Sequence, residues 1–165
     1  MKRREFIKKG AVTAVLPITG TVSLAKSNND VQKKGETFNL NYAPHFGMFK
    51  ENAGNDLLDQ IQFMYDQGFR SMEDNGMKDR SRSDQNSIAK KMSRLGMTMG
   101  VFVAHKIYWR EPNLANGDKA LQDEFVQNVK DSVEVAKRVN AKWMTVVPGY
   151  LDLGLEMAYQ TANVV

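Results

Sequence analysis

From Phe38 onward the chain alternates between two patterns. Short apolar or alternating runs give way to stretches in which apolar residues recur every three or four positions. "TFNLNYAPHF" (37–46) starts with alternating apolar residues and predicts a strand. "NDLLDQIQFMYDQG" predicts a helix with Leu57, Leu58, Ile61 and Tyr65 on one face, Asn55 or Asp56 as its cap and Gly68 at its end. "FRSMED" predicts a short second strand. "RSDQNSIAKKMSRLG" predicts a helix with Ile88, Met92 and Leu95 inward and Gly96 as its stop. "MTMGVFVAH" has the continuous apolar content of a strand buried on both faces. "GDKALQDEFVQNVKDSVEVAKRVNA" predicts a long helix with Leu121, Phe125, Val129, Val133 and Ala136 along one stripe. "KWMTVVPG" predicts a fourth strand. In the last stretch, Leu155, Ala158, Tyr159 and Ala162 fall at helical spacing.

Strand and helix thus alternate with little room for hairpins, which implies a parallel sheet with right-handed crossovers. An open doubly wound sheet and part of an eight-stranded βα barrel both satisfy that rule. The first strand runs into "APHFGMFKENAG", which is not the glycine fingerprint of a phosphate-cradling turn. A complete barrel takes about 250 residues. The expected fold class is therefore α/β: the first half, about four βα units, of a parallel (β/α) TIM barrel spanning 38–165. Its fourth helix would be cut short, and two strand edges would lack partners.

Charge adds a leader to this picture. The net charge of +4 comes from the first residues, where Lys2, Arg3, Arg4, Lys8 and Lys9 face Glu5 alone. Beyond residue 25 the acidic and basic residues balance, so the chain has no general pull on nucleic acid. The head "KRREFIK", the apolar run Ala11–Ala25 broken by Pro17 and Gly20, and the small residues Ser23 and Ala25 have the three-part form of an export signal. The head resembles a twin-arginine signal. The run is too short and interrupted to span a bilayer of about 30 Å. Residues 1–25 are expected to be a cleaved twin-arginine signal peptide, leaving a periplasmic or exported protein with no membrane attachment. Residues 26–37, polar and aperiodic, are expected to be a linker. The chain contains no cysteine, so disulfides, thiolate metal sites and a cysteine nucleophile are excluded.

In parallel βα folds, ligands meet the C-terminal ends of the strands. Strand one brings His45, Phe46 and Phe49 there, and strand two brings Glu73, Asp74 and Asn75. Strand three brings His105, Lys106, Tyr108, Trp109 and Arg110, and strand four brings Pro148, Gly149 and Tyr150. Both histidines of the chain fall on this rim. The set suits a small polar ligand. Each member has a plainer role as well. A histidine at a strand end also serves as a hydrogen-bonded loop residue. Glu73 and Asp74 also fit a solvated turn or a helix cap. Tyr108 and Trp109 also cover a barrel mouth or an interface. Arg80 or Arg82 can reach a carboxylate. Glu73 and His105, with Asp152 or Glu156, have the donor types of a metal site, but no two share a ligand-type spacing on one element.

"FNLNYAPHFGMF", "DQGFRSMED", "LGMTMGVFVAH" and "WMTVVPG" together resemble the sugar phosphate isomerase/epimerase superfamily, in particular its hydroxypyruvate isomerase-like branch with a xylose isomerase-like barrel. The resemblance covers about residues 38–165. It implies an isomerase interconverting aldose and ketose, or epimerising a ketose. It implies a divalent metal, Mn²⁺ or Mg²⁺, on adjacent substrate oxygens, and two glutamates moving a proton between neighbouring carbons. In such relatives the metal ligands and catalytic glutamates lie on strands five to eight, which have no counterpart in this sequence. No catalytic or metal residue is therefore carried over, and this chain alone is expected to bind no metal. The pocket wall is what carries over: His105 first, as a donor to a substrate hydroxyl or carboxylate, then Glu73, His45 and Phe46, and Trp109 joins them as a candidate from its place on the rim. The partner implied is a small sugar or hydroxy-keto acid. The alternative is an exported, non-catalytic binding module that associates with a second copy into a homo-oligomer.

Overall fold

The computed structural model describes residues 37–165. The expected signal peptide and all but the last residue of the expected linker lie outside these residues. Among the described residues no helix is long and apolar enough to cross a membrane.

Helix α1 is a single turn, Lys50–Ala53. Helix α2, Leu57–Asp66, begins where the Asp56 carboxylate accepts from the backbone N–H groups of Leu58 and Asp59 at 2.8 and 3.0 Å. Strand β1 is Ser71–Met72, followed by a 3-10 turn over Met77–Asp79. Helix α3, Arg82–Leu95, starts at Ser81, whose hydroxyl accepts from the Asp84 N–H at 3.0 Å. It ends at Gly96, whose left-handed φ of 65° suits glycine. Strand β2 is Thr98–Met99. Helix α4, Lys119–Val139, is capped by Asp118 and ends on a left-handed Asn140. Helix α5 is Met157–Val164.

The helices follow the sequence pattern, but the strands are far shorter than it suggests. β1 and β2 pair in parallel, Ser71 with Thr98 and Met72 with Met99. On either side single parallel bridges continue the sheet: His45 with Glu73 and Val103 with Thr145. Backbone hydrogen bonds extend it, with the Glu73 N–H donating to the Pro44 carbonyl at 3.0 Å and the Thr145 N–H to the Phe102 carbonyl at 2.8 Å. The expected first and fourth strands are thus extended segments holding one bridge each, not regular strands. A further bridge between Pro112 and Tyr150 joins the two loops beyond them. The result is a small parallel α/β unit whose four extended segments neighbour one another in chain order.

The sheet is curled. The Asn41 side chain, on the first segment, reaches the Thr98 hydroxyl at 3.4 Å, and Thr98 donates to the Ser71 hydroxyl at 3.2 Å. Two residues on, a Cβ added to Gly100 would lie 3.5 Å from the Ala43 Cβ and 3.6 Å from the Glu73 Cβ. The first and third segments therefore touch across the second. In a flat sheet strands two apart are separated by roughly 9–10 Å, twice the spacing of neighbours. Residues 41, 43, 71, 73, 98 and 100 share the concave face, as the two-residue period requires.

The opposite face packs against the helices. Ile61, Met64, Met72, Met77, Ile88, Met92, Met97, Met99, Phe102, Val135 and Val139 form one core. Six of these eleven are methionines, so flexible unbranched side chains fill the space between helix and sheet. Two stripes differ from expectation. In α4 the buried residues are Ser132, Val135 and Val139, while Val133 is exposed. Ser132 is selected because its hydroxyl donates to the Ala104 carbonyl at 2.6 Å, satisfying an acceptor beside the sheet. In α5 the apolar Tyr159 is exposed and Gln160 is buried. The Gln160 amide donates to the Asp152 and Leu155 carbonyls and accepts from the Asp152 N–H. That clamp holds 152–155 as a turn and delays the helix to Met157.

Candidate functional site

The C-terminal ends of the extended segments carry the candidate residues, and the structure divides them between two places. His45 and Glu73 are directly paired across neighbouring segments. Paired residues of parallel strands share a face, so both stand on the concave side at its upper edge. His45 is exposed; its Nδ1 contacts the Phe46 carbonyl at 2.9 Å. Glu73 is half-buried, and its carboxylate makes no hydrogen bond among the described residues. It stands as an acceptor at the edge of that face.

Asp74, next to it, is committed elsewhere. It is buried, paired with Arg80 through the guanidinium Nε and Nη2, and accepts from the Gly76 N–H at 3.2 Å. Arg80 in turn lies over the Phe46 ring, 4.8 Å from its centre. Phe46 therefore anchors the first loop by a cation–π contact as well as by packing on the core. Of the two arginines able to reach a carboxylate, Arg80 does so.

His105 is not positioned as a substrate donor. It is buried, and both ring nitrogens are taken by backbone. Nε2 accepts from the Val147 N–H at 2.8 Å, and Nδ1 lies 2.8 Å from the Lys106 carbonyl. An N–H can only donate and a carbonyl can only accept, so the ring carries its hydrogen on Nδ1. Its face packs edge-on against Phe125 of α4, with ring centres 4.7 Å apart. The side chain replaces a missing rung between the third and fourth segments, the plainer of its two sequence readings.

His105 and Trp109 line an open cleft of about 440 Å³ on the helix side of the rim. Lys78, Lys106, Asn128 and Glu124 supply donors and acceptors there. Trp109 is 71% exposed, so a flat aromatic face meets solvent. Above the cleft the Tyr108 hydroxyl donates to Glu124 at 2.7 Å and accepts from Lys106 at 3.1 Å. The Tyr108 oxygen, and then the nearby Glu124 and Glu111, hold the Lys106 pKa above its ordinary value. No local pattern in the chain signals this triad, because Glu124 lies in the second turn of α4, 16 residues beyond Tyr108.

Among the described residues no three His, Asp or Glu side chains gather as metal ligands. His105 is held by the Val147 N–H and the Lys106 carbonyl. Asp152 is engaged with Gly154, its carboxylate accepting from that N–H at 2.9 Å.

The fold and the rim define a parallel α/β unit with a polar face at the ends of its strands. Comparison with protein-family models gives no match, and comparison with curated proteins gives none. Among solved structures the chain is similar to a crystal structure of D-psicose 3-epimerase in the presence of D-fructose, at 12% identity and a TM-score of 0.49. The match covers 79% of this chain and 44% of the epimerase chain, so this chain spans less than half the length of that protein.

Proposed function

We propose that these four βα units are the first half of a xylose isomerase-like barrel, belonging to a hydroxypyruvate isomerase-like enzyme that interconverts aldose and ketose or epimerises a ketose. The observation that carries the reading is the contact of the first and third segments across the second, Asn41 to Thr98 and Ala43 to Gly100. Layers built from alternate strands are what the interior of a closed parallel barrel contains. The four sequence motifs at the strands support the family within that architecture.

In this reading Glu73 and His45 form part of the substrate wall. Glu73 accepts from a substrate hydroxyl, and the His45 ring edge lies beside it. Phe46 shapes the first loop, and Trp109 flanks the mouth from outside. His105 holds the fourth segment in place. Among the described residues no three His, Asp or Glu side chains gather as ligands, and in this reading their part is substrate recognition.

The test is an assay of residues 1–165, and of any longer product of the same gene, on hydroxypyruvate and several ketoses with Mn²⁺ or Mg²⁺. Turnover by a longer product and none by residues 1–165 is the expected result. A longer product inert on every substrate would refute the reading. Export belongs to the same proposal. Arg3→Lys with Arg4→Lys should leave the protein in the cytoplasm, as cell fractionation would show, whereas unchanged export would rule out the twin-arginine route.

A second reading rests on its own observation. Apolar residues are exposed along both outer segments: Leu40 and Tyr42 on one, Trp143 and Val146 on the other. Edges without a strand partner among the described residues favour association, and the chain would then be a sugar- or small-acid-binding module that pairs with a second copy. A concentration-dependent dimer in size-exclusion chromatography, with no turnover by any product, would favour it.

A further inference from the structure

We propose that Tyr108 is a positioning residue that latches the segment carrying Trp109 onto α4. The inference rests on the geometry of this loop and not on the isomerase reading. Lys106, Tyr108 and Trp109 lie between the Val103 and Pro112 bridges on a stretch with no regular structure and, among the described residues, no ladder hydrogen bonds of its own. Such a stretch holds one shape only where side chains tie it to something rigid. α4 supplies the rigid partner, fixed to the sheet by Ser132 on the Ala104 carbonyl and by Phe125 against His105.

The direction of each bond in the latch follows from its donors. A carboxylate only accepts, so the single Tyr108 hydrogen goes to Glu124. An ammonium only donates, so Lys106 uses a remaining lone pair of the same oxygen and also lies over the Tyr108 ring, 4.4 Å from its centre. The hydroxyl is therefore occupied as donor and as acceptor, by partners on the loop and on the helix. The neighbouring Trp109 inherits its position and presents its ring to the cleft. The raised Lys106 pKa is consistent with an ammonium held by that oxygen.

The test uses the two tryptophans of the chain as probe and control. In the ¹⁵N-labelled protein, the heteronuclear NOE of the Trp109 indole N–H reports the order of this loop. That of Trp143 reports a site outside it. Tyr108→Phe keeps the ring and removes the hydroxyl. It should lower the Trp109 NOE and leave the Trp143 value unchanged. Glu124→Ala should do the same. Glu124→Gln should restore the wild-type Trp109 value, because its amide oxygen still accepts from Tyr108. A role confined to general stability would move both indoles together and would not be rescued by glutamine. An unchanged Trp109 NOE in Tyr108→Phe, or a parallel loss at both tryptophans, would overturn the proposal. No ligand or turnover is needed, so failure of the latch leaves the isomerase reading standing.

Discussion

A histidine shows how far a single residue can be read from its place in the chain. His105 falls at the end of an apolar run, and its position on the rim is legible from that alone. Its role is not, because that depends on the Val147 N–H arriving 42 residues later at 2.8 Å. His105→Ala should strip partners from the Val147 N–H and the Lys106 carbonyl. The expected cost is about 1–3 kcal/mol of stability in urea denaturation. A loss of ligand binding at unchanged stability would contradict a purely structural role for this ring. Gly149 is a second case. Its φ is 93°, and a Cβ there would lie 1.8 Å from Asn113 Oδ1, a buried oxygen with no hydrogen-bond partner among the described residues. Gly149→Ala should destabilise by about 1 kcal/mol or more, from strain and collision together. Adding Asn113→Ala should recover part of the loss, because only the collision is relieved. The exposed Lys106 gives a pH dependence with a definite sign. Its pKa is raised in the folded state, so the contact with Tyr108 is complete at neutral pH. It should be lost only as pH climbs through the raised lysine value. Fluorescence anisotropy of Trp109, in a Trp143→Phe background, should stay flat across neutral pH and fall only in alkali, where the hydrogens that hold the latch are removed.

At the scale of elements, helices are legible in the sequence and strands are not. A helix states its limits locally: Asp56, Ser81 and Asp118 each cap the helix that follows, and Gly96 closes α3. An extended segment acquires partners only from distant chain, and these are brought close enough for just one or two rungs each. Apolar character places Phe125 and Ala136 of α4 inward correctly but Val133 wrongly. Ser132 faces inward for its bond to Ala104, and that rotates the buried face past Val133 toward Val135 and Val139. The observed face predicts a contrast. Val133→Lys should change stability by less than about 0.5 kcal/mol, as surface substitutions do. Val135→Ala removes buried methyl groups and should cost about 1–3 kcal/mol. Equal effects in urea titrations would mean the helix is turned as its apolar pattern suggests. Asp118→Ala should cost about 1 kcal/mol through the lost cap.

For the whole molecule, periodicity announces strands and helices in alternation but is silent on which strands are neighbours. The open doubly wound sheet and the partial barrel share that alternation. They part on order, since an open doubly wound sheet reverses direction and sets a later strand beside the first. In this protein each segment lies beside the one before it, and the sheet curls until Ala43 meets Gly100. The small size of those two residues, an alanine and a glycine, permits the approach. The absence of cysteine from the chain makes this order directly measurable, because introduced thiols would have no competitors. One variant carries Val103→Cys and Thr145→Cys, residues that are bridged in parallel. Another carries Ala43→Cys and Thr145→Cys, on the first and fourth segments. Mild oxidation should close a disulfide within one chain in the first variant and not in the second, since a bridge requires Cα atoms within about 7 Å. Intramolecular closure of the second pair, with none in the first, would place the fourth segment beside the first and contradict the curled order 1-2-3-4.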